Sequence, residues 1–485
     1  MKLVLNGHDE RYVVEQGMLN LFPGERPVYE PIGPGDDSWA VVTLREDDRC
    51  HVTVELCFRG KSLPYSLDVP LVGDEFQREG IRRRAIGKCF FLAARALTGH
   101  TPPWGMLTGV RPVKLPTRAL LSGATPLQAK QELREEYYVS PDRAVLAVDC
   151  AQASIAAQRS LKEGEVSLYL GIPFCPTRCA YCSFVSADVG RTLTLVEPYV
   201  DALLKEIDGT ARVLTESGRT IRSFYMGGGT PTTLSARQLD RVLTRCEQVL
   251  PLEGCTELTV EAGRPDTINR EKLEVLRAHG VGRVSINPQT LEDHVLEAIG
   301  RKHSSGDIQT AYDLARKVGF DCINMDLIAG LPLDSLGGFR RSLDGVLAMG
   351  PENITVHTLA MKKGATLIQR KGALPGGEEV AQMLDYSRTT LSGGYLPYYL
   401  YRQKYMSGSL ENVGWARPGT ESLYNIVMME ELHTVISLGA GGVTKLIDPQ
   451  SGRLLRLSNP KYPQDYLSAG EKLAEQQREM LAFFR

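Results

Sequence analysis

The sequence has no apolar run long enough to cross a bilayer, which excludes a transmembrane helix. Its first residues, Met1-Lys-Leu-Val-Leu-Asn-Gly-His-Asp-Glu10, meet charge before an apolar secretion core can form, so the expected location is the cytoplasm. Net charge is nearly absent as well: 56 Lys and Arg against 58 Asp and Glu leave −2, which excludes bulk attraction to nucleic acid. Any anionic ligand must therefore be held by local basic groups. No internal repeat or low-complexity tract is present, so a solenoid is excluded.

What is present is an ordinary globular composition, 42% hydrophobic and 24% charged, over 485 residues, too many for one usual domain. Alternating patterns at Trp39-Ala-Val-Val-Thr-Leu44 and His51-Val-Thr-Val-Glu-Leu-Cys57 predict antiparallel strands, and an amphipathic helix is expected from Gly73 to Ala96. Arg78, Arg82, Arg83 and Arg84 on that helix read as a solvated face. Pro102-Pro-Trp-Gly-Met-Leu-Thr-Gly-Val-Arg-Pro-Val-Lys114 reads as a working loop or a packed connector. Helical patterns from Thr125 to Tyr138 and from Pro141 to Leu161 close an N-terminal α+β domain, residues 1–160.

Strand and helix signals then alternate. Apolar, β-branched runs recur at Val166–Leu170, Ile221–Met226, Glu257–Glu261, Arg283–Ile286, Asp321–Leu327 and Asn353–His357, with helix-length amphipathic stretches between them. Such strand-helix units predict an α/β domain over residues 161–364, a parallel sheet curled into an incomplete TIM-like barrel. A less regular C-terminal extension, 365–485, is expected to cover the barrel mouth. Ligands of such folds sit at the carboxyl ends of strands. Polar and glycine signals fall there: Gly227-Gly-Gly-Thr-Pro231, Glu261, Asn287-Pro-Gln289 and Asp326.

The densest chemistry lies in Gly171-Ile-Pro-Phe-Cys-Pro-Thr-Arg-Cys-Ala-Tyr-Cys-Ser-Phe184, which places Cys175, Cys179 and Cys182 within eight residues. The other cysteines stand singly and read as buried thiols of a cytosolic chain. Structural zinc would need a fourth ligand, such as His303, and no second Cys-x-x-Cys knuckle supplies one. An iron–sulfur cube held by three thiolates keeps one iron open for another molecule. The glycines are expected to leave backbone N–H groups open to a ligand. Glu261 and Asp326, carboxylates in apolar strands, are expected to meet hydroxyls, amines or cations.

The cysteine spacing, with Tyr181 between the second and third thiols, resembles the radical S-adenosylmethionine superfamily. The run Tyr169–Phe184, the Gly-Gly-Gly-Thr-Pro stretch, the Glu261 strand, Val284–Gln289 and Asn324–Pro332 resemble its oxygen-independent coproporphyrinogen III oxidase group. The Pro102–Pro112 segment with its long N-terminal region is similar to the coproporphyrinogen dehydrogenases of the HemZ type. The resemblance implies a [4Fe-4S] cluster on Cys175, Cys179 and Cys182, and one or two S-adenosylmethionine molecules. Tyr169, Tyr181, Gly228, Gly229, Thr230 and Glu261 would contact the first, and Gln289, Arg301, Asp326 and Ala360 the second. It implies oxidative decarboxylation of two propionates of coproporphyrinogen III, giving protoporphyrinogen IX, with electrons from an external donor such as flavodoxin or ferredoxin.

A substrate with four carboxylates needs cations, for which Arg111, Lys114, Arg402 and Lys404 are the candidates. Two departures keep other tetrapyrrole functions in view, namely a haem chaperone or anaerobic haem breakdown. Decarboxylases of the group carry a fourth cysteine where this sequence has Phe184. Haem chaperones carry a His-Asn pair where it reads Leu410-Glu-Asn-Val-Gly-Trp415; His433, expected in a helix, is the substitute considered.

Overall fold

The computed structural model describes residues 1–183, 187–361, 374–403, 406–448 and 451–485. The chain divides into two compact units, one of residues 1–112, 118–148 and 408–410, the other of 113–117, 149–407 and 411–485.

In the first unit, β1 (Lys2–Asn6), β2 (Trp39–Glu46), β3 (Arg49–Phe58) and β4 (Lys61–Pro70) form a sheet in that order. The meander β2–β3–β4 is antiparallel as its alternation predicts, while β1 joins parallel to β2. Helices Arg11–Leu21 and Glu75–Thr98 pack together, the second lying on β3 and β4. Asp74 and Gln77 form a capping box at the start of helix 75–98, and Gly99, in the left-handed conformation, ends it. Val14, Met18, Val52, Val54, Ile86 and Phe90 close the core. On the outer face, Arg82 pairs with Glu46 and Glu75, and Arg83 with Glu10 and Glu79, so this basic stretch is an ion-paired surface. Trp104 is fully buried, which makes the Pro-rich segment a packed connector at that point.

The second unit is a mixed α/β structure around a mostly parallel sheet. β5 (Glu165–Ile172) leads into a two-residue pair, β6 (Phe174–Cys175) with β7 (Ala187–Asp188). β8 (Thr220–Gly228), β9 (Glu257–Glu261), β10 (Arg283–Ser285), β11 (Cys322–Ala329) and β12 (Asn353–Thr358) follow β5 side by side, all parallel. Crossover helices such as Ala236–Val249, Arg270–Ala278 and Ser305–Val318 connect them. Ser235, Asn269 and Ser304 cap these helices with side-chain oxygens on backbone N–H groups, which fixes where each begins.

Residues beyond 390 extend the same sheet at both ends. β13 (Leu396–Tyr401) and β14 (Asn412–Ala416) add antiparallel strands beside β12. β15 (Val435–Leu438) pairs parallel with β5, followed by antiparallel β16 (Val443–Ile447) and β17 (Leu454–Ser458). The tail helix Gly470–Phe484 packs on helix Val189–Glu216. Among the described residues, no helix is long and apolar enough to cross a membrane.

Candidate active site

Pro173 ends the β5 run, and the chain turns through the cysteine loop at the strand's carboxyl end. Ala180 N–H donates to Ile299 O and Cys182 N–H to Cys179 O, so the loop is tied both to itself and to the segment after β10. Cys175, Cys179 and Cys182 are half-buried thiols, and all three line one cavity of about 400 Å³. Phe184 and Lys404 lie outside the described residues.

The cavity floor is built from strand ends. Glu261 closes β9 and accepts from Tyr225 Oη at 2.7 Å. Burial raises its pKa from 4.5 to about 7; the charge of Asp326 adds to the rise, and the Tyr225 bond opposes it. For Asp326 on β11, burial acts upward too, but hydrogen bonding and charge from His357, with bonds from Asn324 and Thr355, hold its pKa below the ordinary value. The Asn324 amide donates to Asp326 Oδ1 at 2.8 Å, and His357 Nε2 lies 3.7 Å from Oδ2. One cavity thus holds a carboxyl that titrates near neutrality and another kept ionised.

Gln289 is backbone-strained: its φ is +69° in a non-glycine residue, held by Gln289 N–H on Asp326 O and Ile328 N–H on Gln289 O, both at 2.9 Å. Its side chain faces the cavity, and its Oε1 is buried with no donor, as is Asn287 Oδ1. Buried acceptors of this kind are costly without a partner, so the cavity wall is suited to a ligand bearing hydrogen-bond donors.

Arg301 is 8% exposed and donates to Asn287 O at 2.6 Å and to Tyr181 Oη at 3.1 Å. Burial opposes its charge, but Tyr181 and Cys179 attract it and raise its pKa overall. Gly228, Gly229, Thr230 and Ala360 also line the cavity. The glycines serve close packing: a Cβ on Gly229 would stand 2.5 Å from Phe174 O, and one on Gly227 3.0 Å from the Glu261 carboxyl. The expectation of open N–H groups here is corrected. Gly229 N–H is spent on Ile172 O and Thr230 N–H on Phe174 O, both at 2.7 Å, because the stretch continues the β5–β8 pairing into the cysteine loop.

Tyr169 does not line the cavity; its ring stacks against Tyr225 and Tyr424 behind the wall. Of the candidate cations, Lys114 and Arg402 do not line the cavity. Lys114 lies 3.7 Å from Glu431, and Arg402 is buried outside the lining, where burial pushes its pKa down to about 10 against the pull of Glu411. Arg111 belongs to the N-terminal unit. His433 is not helical, because the helix Leu423–Glu430 ends at a left-handed Glu431. Its Nε2 lies 2.8 Å from Ser167 Oγ, and burial, then Arg222, push its pKa down to about 4. His303 is 4% exposed and lies outside the lining; burial, then Arg301 and Arg264, push it to about 4 as well. Among the described residues, no three His, Cys, Asp or Glu side chains are gathered to grip a single metal ion.

Sequence reasoning passed over Arg264 and His357, both lining the cavity. Arg264 is 3% exposed, and its Nη1 lies 3.5 Å from Cys179 Sγ. Tyr401 Oη lies 3.5 Å from His357 Nδ1. The signal for Arg264 was its place in Gly263-Arg-Pro265, just past a strand ending in an acid.

Against known proteins, residues 169–343 match the model of the radical SAM superfamily. The chain is 38% identical over 477 residues to the "Oxygen-independent coproporphyrinogen-III oxidase-like protein HemZ" of Bacillus subtilis, covering 96% of this chain and 95% of that one. It is 32% identical over 266 residues to the "Heme chaperone HemW" of the same organism, covering 54% of this chain and 66% of the other. Among solved structures, it resembles coproporphyrinogen III oxidase (HemN) from Escherichia coli at a TM-score of 0.53 and 24% identity, over 67% of this chain and 73% of that one, a likeness of fold.

Proposed function

This chain belongs to the radical SAM superfamily, among proteins like the HemZ oxygen-independent coproporphyrinogen-III oxidase-like protein, and from that premise we propose that it oxidatively decarboxylates coproporphyrinogen III to protoporphyrinogen IX in haem biosynthesis. The superfamily implies a [4Fe-4S] cluster and S-adenosylmethionine. The observation that carries the reading is that three thiols share one cavity with carboxyls of β9 and β11 and unpartnered buried acceptors.

The residues fit these groups. Arg264 Nη1 and Thr230 Oγ1 each lie 3.5 Å from a cysteine sulfur, Cys179 and Cys175 respectively, so each of these sulfurs faces a hydrogen-bond donor of the kind that supports cluster sulfur. In this reading Cys175, Cys179 and Cys182 hold the cluster. Tyr181, Gly228, Gly229, Thr230 and Glu261 border one S-adenosylmethionine, with Tyr169 bracing the wall behind Tyr225. Gln289, Arg301, Asp326 and Ala360 border a second. When bound, the reduced cluster and S-adenosylmethionine supply one-electron cleavage of the sulfonium and hydrogen abstraction from a propionate carbon.

The chain's part is to hold and to shield. Glu261 offers oxygens to hydroxyl or ammonium donors at the floor. Gln289 and Asn287 offer further acceptors. Tyr399 and Tyr401 present ring surface to an apolar macrocycle from the C-terminal part of the sheet. The parallel run curls, in this reading, as a partial barrel around the cavity, with the C-terminal extension over its mouth. Electrons come from a low-potential donor such as flavodoxin or ferredoxin, and the cytoplasm is the proposed location.

Anaerobic reconstitution with iron and sulfide, followed by reductant, S-adenosylmethionine and coproporphyrinogen III, tests the proposal. Expected are release of carbon dioxide and a divinyl product, both lost together with the visible iron–sulfur spectrum in Cys179→Ala. Cleavage of S-adenosylmethionine with intact coproporphyrinogen would overturn the substrate assignment. The likeness to haem chaperones supports a second reading, haem binding and transfer. His433 is turned to Ser167, so His357 is the imidazole in the cavity for that role. Stoichiometric haem binding lost in His357→Ala, without turnover of coproporphyrinogen, would favour it.

A further inference from the structure

Arg264 is a buried cation whose ties converge on the cysteine loop. Asp266 grips its guanidinium in a fork, Nε to Oδ1 and Nη2 to Oδ2, both at 3.1 Å. Nη2 also donates to Thr177 Oγ1 at 3.0 Å, and Nη1 to Thr177 O at 3.3 Å and to Cys179 Sγ at 3.5 Å. Thr177 stands between Cys175 and Cys179. Structural satisfaction of the guanidinium would need only Asp266 and Thr177. The remaining N–H is aimed at a sulfur. Thr230 supplies the neutral counterpart at Cys175.

We propose that Arg264 is a positioning residue that sets the reduction potential of the cluster bound by these cysteines, by holding a positive charge and an N–H donor on Cys179. The inference rests on the cluster reading given above. Reduction adds one electron, taken from a low-potential donor, to a group already anionic through its thiolates; no bond forms or breaks and no proton moves. A buried guanidinium on a thiolate stabilises the reduced form more than the oxidised form, because the added charge is attracted through a medium that screens poorly. Hydrogen bonds to cluster sulfurs act in the same direction. Arg301, which donates to Asn287 O and Tyr181 Oη and is drawn to Cys179 as well, is a second cation at that thiol and stays in place in every Arg264 variant.

The test is an anaerobic redox titration of the reconstituted full chain, read by visible absorption and electron paramagnetic resonance, with iron content measured alongside. Arg264→Gln is expected to keep its iron but lower the reduced-to-oxidised ratio at fixed poise by about tenfold or more, about 59 mV for a one-electron couple. Arg264→Lys, which keeps the charge, is expected to retain most of the wild-type potential. Asp266→Asn, which removes the countercharge, is expected to shift the potential upward. An Arg264→Gln protein with full iron and an unchanged potential would overturn the inference, and so would an Arg264→Lys protein shifted as far as the Gln variant. If Arg264→Gln fails to fold, the Lys and Asn variants decide by the sign of their shifts. A wild-type chain that takes up no cluster brings down the cluster reading itself, and this inference with it.

Discussion

Glu261 shows how one residue can carry a pH dependence. Its pKa of about 7 in the folded chain stands above the ordinary 4.5. Below 4.5 both folded and unfolded chains hold the proton. Between 4.5 and about 7 the unfolded chain releases it first, so rising pH lowers the stability of the folded chain, and above about 7 the loss levels off. Glu261→Gln removes that titration. Thermal unfolding of the cofactor-free chain across this range should therefore show wild type losing stability relative to Glu261→Gln as pH rises, with the gap constant above about 7; parallel curves would contradict the placement of this carboxyl. The sequence marked Glu261, Asp326 and Gln289 because polar groups at strand ends are conspicuous. It did not mark Arg264 or His357, because an arginine in a loop and a histidine in an apolar strand are individually ordinary until packing aims them at a cavity.

At the scale of elements, the glycine stretch that ends β8 is a splice between strand and cysteine loop. Its N–H groups carry the β5 side across to Phe174, and Gly228 adopts φ +112°, a conformation other residues rarely take. Gly229→Ala would place a Cβ against the Phe174 carbonyl, which as backbone cannot swing away. The expected cost is about 1–3 kcal/mol, as for overpacking elsewhere. Denaturant unfolding measures it, and iron uptake should fall as well, because the displaced residue adjoins Cys175. A stable variant with full iron would show that the splice yields more than its geometry suggests. Periodicity predicted the alternating strands and helices of this unit closely, since each needs only its own apolar pattern. Hydrogen-bond destinations are non-local, and so the fate of the glycine N–H groups was not legible.

At the scale of the whole unit, a buried carboxylate ties the C-terminal part of the chain to the sheet. Glu206, 6% exposed, accepts from Gly439 N–H and Asn459 Nδ2, each at 2.7 Å, and from Tyr466 Oη. Glu206→Ala would leave these donors buried without their acceptor, at about 1–3 kcal/mol for each unsatisfied group. A clear drop in the unfolding midpoint, with earlier proteolysis beyond residue 430, is the expected result; an unchanged midpoint would mean that water replaces the carboxylate. By itself the sequence determined the strand-helix alternation, the three-cysteine loop and the family they announce, because these rest on local pattern and spacing. Only the tertiary structure decided that β15 pairs with β5, that Lys114 and Arg402 are engaged away from the cavity, and that Arg264 reaches Cys179. Each of these joins groups far apart along the chain, and such meetings are set by the packing of the sheet and its helices rather than by any residue's neighbours in sequence.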